Sequence, residues 1–317
     1  MRLFCLPLLA ALACGAREPV PVVFDTDMGN DIDDAIALAI LHALESRGES
    51  KLIAVTVTKD NPQAAPFIDA VNVFYGRSEI PIGVVKNGKT PEASKMLEAV
   101  VARSVYRRNL KDGRQAEEAV AVLRRVLEAQ KDGSVVFVQV GFSTNLARLI
   151  ESSRGLVARK ARLLSIMAGQ FPSGKPEYNV KIDIPAARKL FAEWPAPIVF
   201  SGFEVGNSML FPASSIENEF AYVENHPIRD AYRGYKKMPY DRPTWDPTSA
   251  LYAVRPERGY FSLSEPGRVT VDDAGRTIFT PSPGGTHRYL VLNDVQRART
   301  LEAMIELASQ PPAGVRP

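Results

Sequence analysis

Apolar residues along the chain fall into two alternating kinds of segment. Short runs dense in Val, Ile and Phe, at residues 19–24, 52–58, 80–85, 135–140, 163–167 and 198–200, have the length and composition of strands. Between them lie segments with helical spacing. One covers residues 35–44, and another covers 64–75, where Phe67, Ile68, Val71 and Phe74 share a face. Residues 92–130, rich in Ala, Glu, Arg and Leu, predict helices broken near Asp112-Gly113, and shorter helices follow at 145–150 and 186–191. Strands alternating with helices predict βαβ units. The expected fold is therefore a Rossmann-like α/β architecture with a mostly parallel central sheet flanked by helices. Beyond about residue 260 the pattern changes, and residues 268–271 and 277–280 predict an added C-terminal β-hairpin. No internal repeat or linker interrupts the pattern, so residues 17–317 are expected to form one domain.

Residues 1–16, MRLFCLPLLAALACGA, carry one Arg, a Leu/Ala-rich stretch and then small residues. That layout predicts a secretory signal peptide, too short to span a bilayer, and with it an exported, periplasmic location. Cleavage is expected after Ala13 or Ala16. The run Ala11-Leu12-Ala13-Cys14 also resembles a lipoprotein box, which would make Cys14 a lipid anchor and the only membrane attachment. Both cysteines, Cys5 and Cys14, lie in this leader. The mature chain then has no disulfide framework and no catalytic thiol. Elsewhere 39 Lys+Arg against 36 Asp+Glu leave a net charge of only +3, with no basic block interleaved with aromatics. That balance argues against a nucleic-acid partner.

The near-balance conceals one concentrated anionic segment. In VVFDTDMGNDIDDAIALAI, residues 22–40, five aspartates (Asp25, Asp27, Asp31, Asp33 and Asp34) lie within ten residues between a strand and a helix. In an open parallel sheet such a loop is where ligands bind. So many carboxylates repel one another unless a cation is bound, and a hard divalent ion with oxygen ligands, Ca2+, suits an irregular loop. Gly29 permits a tight turn. Capping of the helix start accounts for one or two of the five but not for all. The loop is not an EF-hand, since Asn30 and Ile36 stand where Gly and Glu are required. A D-x-D phosphatase matches Asp25 and Asp27, but has Thr or Val where Gly29 stands.

The segment Asp25-Thr26-Asp27-Met28-Gly29-Asn30-Asp31-Ile32-Asp33-Asp34-Ala35 resembles the DTDPGxDDA signature of the inosine–uridine-type nucleoside hydrolases, with two extra residues inside the loop. Further family motifs follow in order. TTVxGN resembles residues 56–61, GPLTNLA resembles residues 141–147, and MGG resembles Met167-Ala168-Gly169. AEFN resembles Pro176-Glu177-Tyr178-Asn179, DPEAA resembles residues 183–187, and HDPxA resembles residues 245–250. The resemblance implies hydrolysis of an N-glycosidic bond in a nucleoside or related riboside. Bond cleavage there passes through an oxocarbenium-like state, helped by a water activated at the anomeric carbon. It implies Asp27 as both Ca2+ ligand and general base, beside a water whose pKa the ion lowers. It also implies Asp34, the Thr144 carbonyl and Asp246 as further ligands. Asp33, Asn61, Met167, Glu177 and Asn179 are implied at the ribose. Asp31 rivals Asp33 or Asp34, because it keeps the family's spacing counted forward from Asp27. Homo-oligomerisation is a further family expectation.

Departures concentrate in base recognition. The family's HDP histidine is Trp245, which can stack on a base but cannot protonate one. The HGxxGL segment is replaced by Asn87-Gly88-Lys89-Thr90, and Phe171 stands where Asn is expected. Tyr222, Tyr232, Tyr235, Tyr240 and Trp245 are candidates for an aromatic wall over the base. Of the three histidines, His226 is the one candidate substitute acid, with His42 expected on a helix surface and His287 in the C-terminal hairpin region. Two alternatives therefore stand beside the hydrolase: a non-catalytic exported Ca2+-dependent riboside-binding protein, and a Mg2+-dependent D-x-D phosphatase.

Overall fold

A computed structural model describes residues 18–315, so the predicted leader and its cysteines lie outside the described residues. In chain order the elements are β1 (Val20–Thr26), α1 (Asp33–Ser46), β2 (Ser50–Val57), α2 (Ala64–Phe74), β3 (Ile82–Val84), α3 (Lys95–Val101), β4 (Glu117–Glu118), α4 (Ala119–Glu128), β5 (Val135–Gln139) and α5 (Thr144–Lys160). They continue as β6 (Ala161–Met167), α6 (Tyr178–Ile182), α7 (Ile184–Glu193), β7 (Ile198–Ser201), α8 (Phe203–Asn207), β8 (Leu210–Phe211), α9 (Ala213–Asn218), α10 (Pro227–Tyr235), β9 (Arg242–Pro243) and α11 (Trp245–Val254). The chain ends with β10 (Ser262–Leu263), β11 (Gly267–Val271), β12 (Thr277–Pro281), β13 (His287–Val291) and α12 (Asp294–Ala308). Among the described residues no helix is long and apolar enough to cross a membrane.

An 11-stranded sheet has the order β12-β11-β13-β7-β6-β5-β1-β2-β3-β4, with β10 added on β13. Every pairing from β4 through to β13 is parallel. The run VVF in β1 is apolar throughout because both faces of the sheet are covered. Val22 and Phe24 join the core under α1, α2 and α11, while Val23 joins the core under α4, α5 and α7. Full burial of each such side chain contributes about 1.5–3 kcal/mol. The hairpin expected near the C-terminus is β11–β12, antiparallel, with Val269 opposite Phe279. The sequence pattern did not predict β13, which inserts between β11 and β7 and runs parallel to β7.

From β1 the chain winds outward through β2, β3 and β4, then returns to β5 on the other side of β1. The carboxyl ends of β1 and β5 therefore flank the point where the winding reverses, the crevice in which open α/β sheets bind ligands. The acidic loop leaves β1 there, and residues 140–144 leave β5 beside it.

His42, expected on a helix surface, is fully buried instead. Helix α1 is enclosed by the sheet, α11 and α12, so it has no solvent face. The His42 ring stacks on Tyr75 at 4.6 Å; its Nε2 lies 2.9 Å from Asn72 Oδ1 and its Nδ1 3.3 Å from Arg77 Nη1. Asn72 Oδ1 accepts and Arg77 donates, which selects the neutral tautomer protonated at Nε2. Burial, then the Arg77 charge, pushes its pKa down to about 3. The unfolded chain therefore takes up this proton first. The contribution is fully present above the ordinary histidine pKa and is lost as pH falls from about 6.5 toward 3, at about 1.4 kcal/mol per pH unit. His42→Gln is expected to flatten the acid limb of stability against pH, measured as urea midpoints between pH 7.5 and 5. Equal slopes for both proteins would refute this assignment.

Candidate active site

The five aspartates of the acidic loop separate into distinct roles. Asp25, the last carboxylate within β1, is buried and ties elements together: its Oδ1 accepts from Thr56 Oγ1 at 2.6 Å and from Asn145 Nδ2 at 2.8 Å. It does not line the cavity described below. A D-x-D phosphatase would need this residue as its exposed nucleophile, so the geometry removes that alternative. Asp27 follows on the turn, where Gly29 adopts φ +110°; a Cβ there would come within 2.6 Å of Leu97 Cδ1, so only glycine fits. Asp27 Oδ2 accepts from Asn30 Nδ2 at 2.8 Å. Asn30 Oδ1 in turn accepts from the buried Lys59 ammonium at 2.7 Å, which also donates to the Thr90 carbonyl at 3.1 Å.

Asp33 and Asp34 open α1, and Asp246 lies in the first turn of α11. Their carboxylate oxygens converge within 4.8 Å of one another, all buried. Asp33 Oδ2 accepts from the Asp246 backbone N–H at 3.0 Å, joining the two helix starts. Asp34 Oδ1 accepts from Thr26 Oγ1, while its Oδ2 is buried with no protein partner among the described residues. The Asp27 and Asp34 carboxyl groups also contact each other. Burial raises Asp27 to about 6 and Asp33 to about 7, and it holds Asp34 and Asp246 well above the usual carboxylate range. Mutual charge repulsion adds to the rise in Asp33, Asp34 and Asp246. Carboxylates this close, with one buried oxygen unpartnered, fit a hard divalent cation. Asp31 stands outside the cluster: its Oδ2 pairs with Arg242 and its Oδ1 accepts from the Ile32 N–H at 2.6 Å.

A cavity of about 570 Å³ opens above this cluster. Asp27, Asp33, Asp34 and Asp246 form part of its lining, as do Met167, Glu177, Asn179 and Trp245. Met167 ends β6. Asn179 Nδ2 donates to the Val140 carbonyl at 2.8 Å and the Met167 carbonyl at 3.3 Å, which fixes the amide between β5 and β6. Glu177 caps α6, accepting from the N–H groups of Asn179 at 2.9 Å, Gly169 at 3.1 Å and Val180 at 3.3 Å. Burial nonetheless raises it to about 7.

Two residues named from the sequence do not line the cavity. Asn61 is a turn residue whose amide donates to the Pro91 and Glu92 carbonyls and accepts from the Gln63 N–H. Thr144 begins α5 and directs Oγ1 to Asp183 at 2.6 Å. Conversely Asn30, Gln170, Lys175, Tyr178, Lys181, Phe203 and Arg242 line it unannounced. Only Asn30, inside the acidic loop, and Tyr178, between Glu177 and Asn179, carried a sequence signal.

His226 is not available as an acid. It is fully buried as the cap of α10: Nδ1 accepts from the Ile228 N–H at 3.2 Å, Nε2 lies 2.8 Å from the Tyr222 hydroxyl, and the ring packs on Phe74 and Phe220. Burial pushes its pKa down to about 3. His287 lies in β13 and accepts from the Val269 N–H at 2.9 Å. Among the described residues no histidine lines the cavity. Among the described residues, none of the candidate tyrosines Tyr222, Tyr232, Tyr235 and Tyr240 lines the cavity. Tyr232 and Tyr240 stack at 4.4 Å and bond each other's carbonyls, which is core packing. The aromatic lining is Tyr178, Phe203 and Trp245, the last two stacked at 5.3 Å with Trp245 Nε1 donating to the Phe203 carbonyl at 3.0 Å.

Residues 22–302 match the family model of the inosine-uridine preferring nucleoside hydrolases, and the chain belongs to that family. It is accordingly an N-glycosyl hydrolase of the riboside class. No curated protein matches it. Among solved structures, a plant nucleoside hydrolase is similar at 22% identity with TM-score 0.70, over 92% of this chain and 100% of that one. The inosine-uridine preferring nucleoside hydrolase from Bacillus anthracis is similar at 19% identity with TM-score 0.70, over 92% and 99%. A purine-preferring ribonucleoside hydrolase from Gardnerella vaginalis follows at 18% identity with TM-score 0.69, over 91% and 98%. These likenesses establish the mostly parallel α/β fold.

Proposed function

We propose that the protein is a Ca2+-dependent hydrolase that splits the N-glycosidic bond of ribonucleosides or related ribosides, releasing base and ribose, and that it works after export through its N-terminal leader. The observation that carries this reading is the convergence of Asp27 with the Asp33–Asp34–Asp246 cluster on one wall of a cavity that also holds Glu177 and Asn179. Asp27, Asp34 and Asp246 would hold the ion. When bound, the ion would supply charge that keeps the clustered carboxylates ionised, attraction for a sugar diol, and acidification of a nearby water. Asp27, held by Asn30, is the base that takes a proton from that water. Asp33 and Asn179 bind ribose hydroxyls, with Glu177 ordering the loop between β6 and α6. Water oxygen bonds to the anomeric carbon as the carbon–nitrogen bond breaks, and the bonding pair leaves with the base.

Among the described residues no histidine lines the cavity, so capture of ribosides without turnover is the alternative outcome against which the proposed activity is tested. One experiment separates the two. Reducing-sugar release is measured on purine, pyrimidine and nicotinamide ribosides and on p-nitrophenyl riboside, with Ca2+ and with chelator. Ribose release that chelator abolishes is the expected result. Stoichiometric binding by calorimetry with no ribose after hours would replace the hydrolase with the binding protein.

A further inference from the structure

Departure of a base needs stabilisation of the negative charge it takes up, and no histidine among the described residues lines the cavity to provide it. The cationic side chains that do line it are Lys175, Lys181 and Arg242. Lys175 and Lys181 are exposed and flank Glu177 on and beside α6. Lys59 is buried but does not line the cavity, and its ammonium is committed to Asn30 and Thr90. Arg242 differs from all three. It lies on β9, paired with β8, three residues before Trp245. Its side chain is only 19% exposed. Nη2 bonds Asp31, and the guanidinium carbon rests 5.2 Å from the Tyr235 ring and 5.0 Å from the Trp245 ring. Its Nε is buried with no protein partner among the described residues. A guanidinium held by one ion pair and two aromatic rings is preorganised, and it has five N–H donors of which Asp31 engages one.

We propose that Arg242 is a catalytic residue of this hydrolase, donating hydrogen bonds to the departing base and carrying the charge it acquires. The inference rests on the hydrolase reading above. As the anomeric carbon–nitrogen bond breaks, its electron pair stays on the base and spreads to ring nitrogens and carbonyl oxygens. Arg242 donates to one of these acceptors but keeps its proton, since a guanidinium does not deprotonate in a protein. The base anion then takes a proton from solvent, Asp27 returns its proton to solvent, and the net reaction consumes one water. In this arrangement Asp31 is a positioning residue for Arg242, which gives a role to the loop aspartate that lines the cavity but pairs with Arg242 instead of joining the metal cluster.

The test compares Arg242→Gln with the unaltered protein on the best nucleoside of the panel and on p-nitrophenyl riboside, in saturating Ca2+. Nitrophenolate departs without help, so the substitution is expected to lower kcat/KM for the nucleoside by roughly 10²–10³-fold but for the nitrophenyl riboside by less than about threefold. Free guanidinium ion added to Arg242→Ala is expected to restore nucleoside turnover in part. If Arg242→Gln fails to fold because Asp31 is left unpaired, Asp31→Asn combined with Arg242→Gln is assayed instead. Equal losses on both substrates would make Arg242 a structural residue and overturn the proposal. Undiminished nucleoside turnover would overturn it as well, and a loss in Tyr178→Phe with Arg242→Gln unaffected would transfer the role to that phenol. Absence of ribose release from both substrates by the unaltered protein is a different outcome: the hydrolase reading itself fails there, and the assignment of Arg242 with it.

Discussion

Asp27→Asn is expected to lower kcat for ribose release by roughly 10²–10⁴-fold, the usual contribution of a positioned general base. That loss corresponds to about 3–5 kcal/mol of barrier. The substitution is nearly isosteric, and the carbonyl of the introduced amide can still accept from Asn30 Nδ2, where Asp27 Oδ2 now accepts at 2.8 Å. The turn, held open by Gly29, is unaffected. The change therefore removes the capacity to take a proton while leaving shape in place, and KM for the nucleoside should move much less than kcat. Saturating Ca2+ is needed in the assay, because Asp27 also contacts Asp34 at the metal cluster. Retention of more than a tenth of the activity, with bound metal confirmed by elemental analysis, would remove Asp27 from the base role.

Removal of the ion is expected to be as damaging to activity and to act on stability as well. Ion binding at a hundredfold excess over Kd stabilises a folded chain by about 2.7 kcal/mol. Chelation should therefore lower Tm by on the order of 5 °C. The effect has a pH signature. Without the ion, Asp27 titrates at about 6 and Asp33 at about 7, both raised chiefly by burial, with Asp34 and Asp246 also held well above the usual carboxylate range. A carboxyl whose folded pKa lies above its unfolded value holds its proton more tightly in the native state. The metal-free protein therefore loses stability as pH rises from about 4 through 7, by about 1.4 kcal/mol per unit per group. A divalent ion bound there would replace those protons, so affinity should climb over the same range and protons should be released on binding. Thermal melts with and without chelator at pH 5.5 and 8 measure this directly. A chelator effect no larger at pH 8 than at pH 5.5 would refute the cluster as the ion site. Asp246→Ala should abolish the chelator effect altogether, since it removes one of three converging carboxylates.

The α/β class was legible because it is written in local periodicity. Strands enclosed on both faces need unbroken apolar runs such as residues 22–24, and the helices between them need an apolar face, so most of the strands from β1 to β7 and their crossovers could be placed approximately. Strand β13 and helix α12 were not. A half-exposed strand such as His287–Val291 has its place only through pairing with β7, a partner far away in sequence. His42 was misplaced for a related reason. A histidine in a helix reads as polar, and nothing local announces that the helix will be covered on every side.

The candidate site divides along the same line. A dense cluster of aspartates after a strand is a local event, and mutual repulsion favours a cation or protons beside it, so a candidate metal site was legible in residues 25–34, while the resemblance of its own motif pointed to Asp246. Which of five neighbouring carboxylates meets the ion depends on where their side chains point. The family resemblance placed Asp34 at the ion and Asp33 at the ribose, with Asp31 a rival for either place. Folding separated them: α1 begins at Asp33, the Asp246 N–H reaches across to its carboxylate, and Arg242, 211 residues away in sequence, draws Asp31 aside. The base-facing half depended still more on long-range packing. Tyr232 and Tyr240, expected in an aromatic wall, are core, His226 is a buried cap, and Phe203 of α8 and Arg242 of β9 meet at Trp245. Charge density and periodicity are properties of neighbouring residues, and the chain states them directly. The direction of a side chain and the identity of its distant partner exist only once the sheet has brought those segments together.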